Sequence, residues 1–575
     1  MKYFSDLVVS FLVQQGIEYV SFNPGASFRG IHDSLVAMRE KPGTPQILVS
    51  CHEEISVAIA HGYFKACGKH MAVIVHANIG LQHASMAIFN AWCDRVPLLV
   101  LGGNGPIDAS KRRPWIDWIH TSQSIDSIIK DYVKWSDMPM SQKAALESLY
   151  RGAYLMNSEA KAPVFIALDS EIQEETLHRG LQLYPVNASQ AAQLPGLDNL
   201  ILSNLVTQML SAQNPVIITD LSGKEPETVP LLIQLAETLG CAVIDKGGRY
   251  NFPNTHDLSL NDAAHDIILD SDMILAFEVQ DLWGALQPLV ESGYDNLPTI
   301  ISIGTNNLLI SDWAADYQRL LPVSQMLQAN IARSLEQILA SLELRIEEVD
   351  TEKRKARLKQ ISERHVSTRN SWQEQALSHS DDKIVHVTSA LLTIHDALEK
   401  HDWMVTNTGS VTINEWVKRL WNLDKPGCYI GLSGGAGLGY GLGASIGAAL
   451  AHKGSDKVCI NLQSDGDFLY TPSALWTLSQ YEIPLLTIVM NNSLYLNSKQ
   501  HAEIIAGNRQ RNVSDADIGT SFYENPVDFI SLAQSFNIHT SGRASTLAEL
   551  KNSLEEAIDY ILKERKPALV ELIMQ

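Results

Sequence analysis

The segment from Lys457 to Leu494 constrains this chain more than any other. Lys457-Val458-Cys459-Ile460-Asn461-Leu462 is an apolar run of strand length, and it leads into Ser464-Asp465-Gly466-Asp467-Phe468. Residues Ser473 to Tyr481 then carry helical spacing. Pro484-Leu485-Leu486-Thr487-Ile488-Val489-Met490 is a second apolar run, and it ends in Asn491-Asn492. Strand, acidic turn, helix and strand predict a right-handed parallel crossover, so both turns emerge at the same carboxyl edge of a sheet. There Asp465 and the Asn pair can converge on one hard cation. A carboxylate, an amide oxygen and a loop carbonyl suit Mg²⁺, whose octahedron is completed by phosphate oxygens and water. Asp-Gly alone would read as an ordinary acidic turn. The Asn pair after the second strand favours the metal.

The same alternation runs through the rest of the 575 residues, too many for a single core. Strand-like runs include Gly16 to Phe22, Gln46 to Ser50, Met71 to His76, Val96 to Asn104 and Ala162 to Leu168. The pattern restarts with runs that begin at Asn214, Gly240, Met273 and Thr299, none followed by a phosphate-binding glycine run. From Glu343 to about Asp382 the chain is dense in charge and reads as a solvated helical connector. The expected fold class is α/β, with three doubly wound parallel-sheet domains. Expected boundaries are 1–182, 190–345, a linker at 346–382, and 383–575.

A net charge of −21 argues against nucleic acid or an anionic membrane as partner. The six cysteines show no Cys-x-x-Cys pair and mostly sit in apolar runs, which predicts buried free thiols in a reducing compartment. No uncharged apolar run is long enough to span a bilayer, and the first residues show no signal-peptide pattern. The expected location is cytoplasmic.

Two further stretches carry chemistry. Cys51-His52-Glu53-Glu54 precedes a helix of small and β-branched residues. Acids are favoured there by the helix dipole alone, so the local sequence leaves their role open. Ser433-Gly434-Gly435-Ala436-Gly437-Leu438-Gly439-Tyr440-Gly441-Leu442-Gly443 leads into the small-residue helix that starts at Ala444. Its glycines suit either close approach to an anion or tight helix packing.

Together these stretches resemble thiamine diphosphate enzymes of the decarboxylase and acetohydroxyacid synthase group, nearest to benzoylformate decarboxylase-like members. Family motifs recur as Asn23-Pro24-Gly25, Asn90-Ala91-Trp92, Asp465-Gly466 with Asn491-Asn492, and Tyr481-Glu482-Ile483-Pro484. Ser464 stands where the family has glycine. The resemblance implies the three-domain thiamine diphosphate fold, with a pyrimidine-binding, a central and a diphosphate-binding domain. It implies Asp465, Asn492 and the main-chain oxygen of Leu494 as Mg²⁺ ligands. It selects Glu53 over Glu54, because Glu53 precedes the Gly62-Tyr63 pair by nine residues. That carboxyl would exchange a proton with the cofactor's aminopyrimidine.

By the same resemblance, Leu438 is the apolar wedge beneath the cofactor and Ala436 offers it a carbonyl. Gly409 and Ser410 contact the diphosphate, and Pro24, Gly25, Gly466, Asp467 and Tyr495 complete the cofactor contacts. His76 falls 23 residues after Glu53, where benzoylformate decarboxylases carry an active-site histidine. Gln82 and His120 are further catalytic candidates. Arg112 and Arg113 would draw in an anion, or else belong to a surface loop with two packed tryptophans. Glu278 to Trp283 would supply an opposing wall, and Ser493 to His501 a covering loop.

The implied activity is decarboxylation of a 2-oxo acid, with release of an aldehyde or carboligation to a 2-hydroxyketone. The implied assembly is a homodimer or homotetramer with active sites between subunits. The alternatives are a non-decarboxylating carbon–carbon lyase or hydrolase using the same cofactor, and a catalytically silent cofactor-binding homologue. Ala26 replaces the serine that follows Asn-Pro-Gly in benzoylformate decarboxylase, so the same substrate does not follow.

Overall fold

The computed structural model describes residues 1–186, 193–261, 264–293, 297–305, 323–345, 347, 351–379 and 384–574. The boundaries expected at 190, 346, 382, 383 and 575 lie outside the described residues. Three parallel sheets with flanking helices make up the molecule.

The first sheet holds β1 (Tyr19–Phe22), β2 (Gln46–Val49), β3 (Ala72–Val75), β4 (Leu99–Asn104), β5 (Trp135–Asp137) and β6 (Val164–Asp169), in the order β2-β1-β3-β4-β6-β5. The second holds β7 (Pro215–Thr219), β8 (Ala242–Asp245), β9 (Met273–Phe277), β10 (Thr299–Gly304) and β11 (Gln325–Gln328), in the order β11-β10-β9-β7-β8. The third holds β12 (Trp403–Asn407), β13 (Val458–Ser464), β14 (Leu485–Asn491), β15 (His539–Ala544) and β16 (Ala568–Ile573), in the order β12-β13-β14-β16-β15.

Central strands β3, β4, β6 and β14 are buried along their whole length, which is why they read as unbroken apolar runs. The edge strands β5, β11 and β15 are only partly buried and carry polar residues, so they give no such run. In the first sheet the chain turns to opposite sides after β1, which leaves a crevice at the carboxyl ends of β1 and β3. In the third, β13 and β14 pair in register from Cys459 with Leu485 to Ser464 with Met490. The acidic turn and the Asn pair therefore emerge side by side, as the crossover predicts.

Two helices join the first and third sheets. Glu53–Cys67 crosses Tyr440–Ala451 with the two backbones in contact. A Cβ on Gly62 would lie 1.9 Å from the Ala444 carbonyl oxygen, and one on Gly447 would lie 1.9 Å from that of Ile59. The second helix begins at Tyr440, not at Ala444, so Gly441 and Gly443 are helical residues. Each interior glycine costs a helix roughly 0.5–1 kcal/mol. The close crossing is what that cost allows.

Beside this crossing, one residue, Asp94, ties all three sheets together through its carboxylate and its main-chain carbonyl. Asp94, 2% exposed, lies 2.8 Å from His61 Nε2 and 2.9 Å from Lys65 Nζ, and it accepts the Gly434 N–H at 2.6 Å. Arg249, next to the second sheet, donates to the Asp94 carbonyl at 2.7 Å. Burial alone would push the Asp94 carboxyl up. Lys65, His61 and Arg249 outweigh it and hold the group well below the usual carboxylate range.

Thr351–Ser378 is a single helix, as the charge-dense stretch predicts. It is docked rather than free, because Arg357 donates to the carbonyls of Leu239 and Gly240. All six cysteines are free, but only Cys241, Cys428 and Cys459 are buried; Cys51 is exposed. Among the described residues no helix is long and apolar enough to cross a membrane.

Candidate active site

Two polar edges stand out, one at the crevice of the first sheet and one at the carboxyl ends of β13 and β14. At the first sheet, the crevice between β1 and β3 gathers Asn23, Gly25, Glu53, His76, Gly80 and His83. Glu53 opens its helix and is 4% exposed. Asn23 Nδ2 donates to its Oε1 at 3.4 Å, and a Cβ on Gly80 would lie 2.7 Å from the same oxygen. Its Oε2 is buried without a hydrogen-bond partner, although His83 Nδ1 lies 3.4 Å away outside bonding geometry. A buried carboxyl oxygen left open in this way suits a ring nitrogen of a ligand. His83 also stacks on His52, with centroids 4.8 Å apart.

His76 directly follows β3, at the start of the helix Ala77–Cys93, and packs edge-on against His120, with ring centroids 5.2 Å apart. Burial lowers the pKa of His76, and the neighbouring His120 adds to the effect. His120 Nδ1 is itself buried without a partner. Gln82 is not gathered with them. It is exposed, and its amide donates to the Asn78 carbonyl one turn back at 3.1 Å. Pro24 is exposed at the rim.

Arg112 and Arg113 fold their own loop. Arg112 Nε donates to the Pro106 carbonyl at 2.7 Å, and Arg113 pairs with Asp117 at 2.9 Å. The two tryptophans expected to pack are instead exposed, Trp115 by 77% and Trp118 by 74%.

At the third sheet, Asp465 is 2% exposed. Its Oδ2 accepts the Ser493 N–H at 2.6 Å and the Asn492 N–H at 3.0 Å, and its Oδ1 accepts the Gly466 N–H at 2.8 Å. Burial pushes its carboxyl up to about 6 despite these donors. The Asn492 amide oxygen accepts the Leu494 N–H at 3.2 Å. Carboxylate, amide and carbonyl oxygens on the two turns that emerge side by side after β13 and β14 fit a hard divalent cation.

Gly409 closes the other side at φ +58°, where a Cβ would lie 2.6 Å from the Leu462 carbonyl. Only glycine meets both demands. Ser410 is exposed and caps the helix Val411–Leu420. A Cβ on Gly466 would lie 2.4 Å from the Tyr495 ring, so that ring rests on the metal turn.

Asp467 turns inward. Its Oδ1 accepts the Gly439 N–H at 2.6 Å and its other oxygen is bonded to Gln463. It therefore acts on the site through the backbone of the glycine-rich turn. Cβ atoms on Gly434, Gly435 and Gly437 would meet Asp94, Asn90 and Met86, which shows that these glycines serve packing against Ala77–Cys93. Ala436 (φ +49°) and Leu438 (37% exposed) remain on the open side.

Ser493 to His501 is not a loop throughout, since Leu496–Asn508 is a helix with no buried residue. In the 278–283 stretch, Glu278 is committed to Lys224 at 3.2 Å and to Thr305 at 3.0 Å.

Glu54, set aside in favour of Glu53 by the family spacing, also has a place in this region. Glu54 faces the third sheet of its own chain, with Oε1 3.0 Å from where a Cβ on Gly439 would lie. Burial and the nearby Asp467 push its carboxyl up to about 7, from an ordinary 4.5. A raised carboxyl favours the folded state below its unfolded pKa, and that advantage is lost as pH rises through the folded pKa. The apoprotein is therefore expected to lose stability between about pH 4.5 and 7, by roughly 1–2 kcal/mol once partial solvation is discounted. Glu54→Gln should flatten that part of the profile in thermal melts; an unchanged slope would discount Glu54.

The chain belongs to the thiamine pyrophosphate enzymes. The family model for the N-terminal TPP binding domain matches residues 2–128, and that for the C-terminal TPP binding domain matches 408–572. Among curated relatives, an acetolactate synthase large subunit of Haemophilus influenzae is 23% identical, covering 96% of this chain and 91% of the relative. A benzoylformate decarboxylase of Pseudomonas aeruginosa is also 23% identical, over 98% and 97% of the two chains.

Two solved structures share the fold along the whole chain. A thiamine diphosphate-dependent 4-hydroxybenzoylformate decarboxylase of Rhodococcus jostii superposes with a TM-score of 0.75 at 19% identity, covering 100% of this chain and 99% of that one. A benzoylformate decarboxylase of Polynucleobacter necessarius gives 0.77 at 18%, with the same coverage.

Proposed function

We propose that this thiamine diphosphate enzyme decarboxylates a 2-oxo acid, with Mg²⁺ as second cofactor, and releases an aldehyde or joins the residual fragment to a second carbonyl. The observation that carries this reading is the pairing of two incomplete edges. One offers Glu53 with a buried open oxygen and two histidines. The other offers Asp465, Asn492 and the Leu494 carbonyl on two adjacent turns. Within one chain the neighbour of Glu53, not Glu53 itself, faces the third sheet. A second copy is therefore the natural source of the missing half, and the active unit is at least a homodimer.

In this reading Asp465, Asn492 and Leu494 hold the metal, and Gly409 and Ser410 receive the diphosphate. Leu438 and the Ala436 carbonyl shape the cofactor's bend. Bound thiamine diphosphate supplies the electron sink that accepts the carbanion left when carbon dioxide departs. Glu53 holds or yields a proton at Oε2, a position shielded from water. His76 and His120 sit where an incoming carbonyl or carboxylate oxygen would meet hydrogen-bond donors.

The test is a panel of aliphatic, aromatic and sulfonated 2-oxo acids with thiamine diphosphate and Mg²⁺, following carbon dioxide and carboligation products together. Turnover of at least one acid with carbon dioxide release is the expected result. Cleavage of a diketone or hydroxyketone without carbon dioxide would replace the reading by a lyase or hydrolase.

A further inference from the structure

The ring of His76 is held on one edge by a residue that no motif singles out. The Ser27 N–H points at His76 Nδ1 over 3.4 Å. A backbone N–H can only donate, so Nδ1 must present a lone pair. Ser27 Oγ lies 2.9 Å from the same nitrogen and already accepts the Ala77 N–H at 3.0 Å, which leaves its own proton for Nδ1. Ser27 is 4% exposed, and its carbonyl accepts from Gln173 at 3.1 Å. A Cβ on Gly103 would lie 2.2 Å from its Oγ, and one on Gly25 would lie 2.5 Å from His76 Cβ. Neither the serine nor the imidazole has room to turn.

A neutral imidazole carries one proton, and with Nδ1 accepting, that proton sits on Nε2. Among the described residues Nε2 has no hydrogen-bond partner, and the ring is half-buried beside His120. We infer that Ser27 is a positioning residue that locks His76 as the neutral Nε2–H tautomer, which makes His76 a hydrogen-bond donor to substrate and not a base. That the donor meets a 2-oxo acid oxygen rests on the function proposed above; the tautomer does not. The groups facing the ring act in both directions. His120 and Arg113 disfavour a second proton on it, and Glu53 and Asp117 favour one.

The lock is tested on the full-length apoprotein with ¹⁵N-labelled histidine and long-range ¹H–¹⁵N spectra, His76→Gln serving to assign the signal. The expected neutral state shows an unprotonated Nδ1 and a protonated Nε2. A protonated Nδ1 in the wild-type protein would overturn the inference, whether or not any variant folds. Ser27→Ala removes the closer hydroxyl donor and leaves only the long Ser27 N–H contact, so the other tautomer should gain population, and an unchanged His76 signal in the folded variant would also overturn the hydroxyl's part in the lock.

In turnover, Ser27→Ala should lower kcat/KM by about 2- to 12-fold at pH 8, the factor that one net hydrogen bond commands. The defect should shrink in acid, below the ordinary imidazole range, because burial and His120 lower the His76 pKa and the imidazolium that restores the Nε2 proton forms only there. A purely structural defect would not vary with pH. If the wild type turns over no 2-oxo acid while the tautomer stands, the proposed reaction fails and the lock does not.

Discussion

Glu53→Gln is expected to lower turnover by about 10²–10⁴-fold, the range that a positioned acid–base group contributes. The change keeps the shape of the side chain and its contact with Asn23 but removes the ability to take up a proton. Thermal stability and cofactor affinity should stay near wild type, because the lost group acts on a proton and not on the fold. Calorimetric titration of thiamine diphosphate beside steady-state rates separates these effects. A Gln variant with near-normal turnover would end the assignment of Glu53.

Asp465→Ala should act on the other half of the site. It removes the one carboxylate among the proposed metal oxygens and frees the Asn492 and Ser493 N–H groups that it now orders. Loss of a single outer-shell partner costs a metal site about 10–100-fold in affinity, so loss of this ligand should reach at least the upper end. Cofactor affinity should become insensitive to Mg²⁺, which titrations with and without the ion would show. Retained Mg²⁺ dependence would place the metal elsewhere.

The two variants together examine where the halves of the site come from. If Glu53 of one subunit serves Asp465 of another, a mixed dimer of Glu53→Gln and Asp465→Ala chains contains one site with both residues intact. Random mixing should then restore about a quarter of wild-type activity, as two-fold symmetry requires. No rescue on mixing would mean that both residues act within one chain.

Much of this was legible in the chain itself. The buried strands β13 and β14 announce themselves because a central parallel strand must be apolar on both faces, and their ends carry the Asp and Asn pair. The edge strands β5, β11 and β15 were not legible, because a strand half in water needs no such run. The glycine-rich turn was readable as close approach, but not what approaches. Gly434, Gly435 and Gly437 meet side chains of a neighbouring helix, and Gly62 and Gly447 meet backbone. Sequence spacing says nothing of a partner so distant along the chain.

From Lys457 to Leu494 the amino-acid order alone determined the class of cofactor, since the turn residues and the strands that present them are local. The rest was decided by folding. Glu53 and Glu54 are adjacent, yet successive helical residues point about 100° apart. One therefore enters the crevice of the first sheet, and the other meets Gly439 of the third. Ser27 came to orient His76 only because β1 and β3 lie side by side, which places their ends within hydrogen-bond reach. Local sequence sets which groups are present. Only the packing of the sheets sets which way they face, and that direction separates a base from a donor.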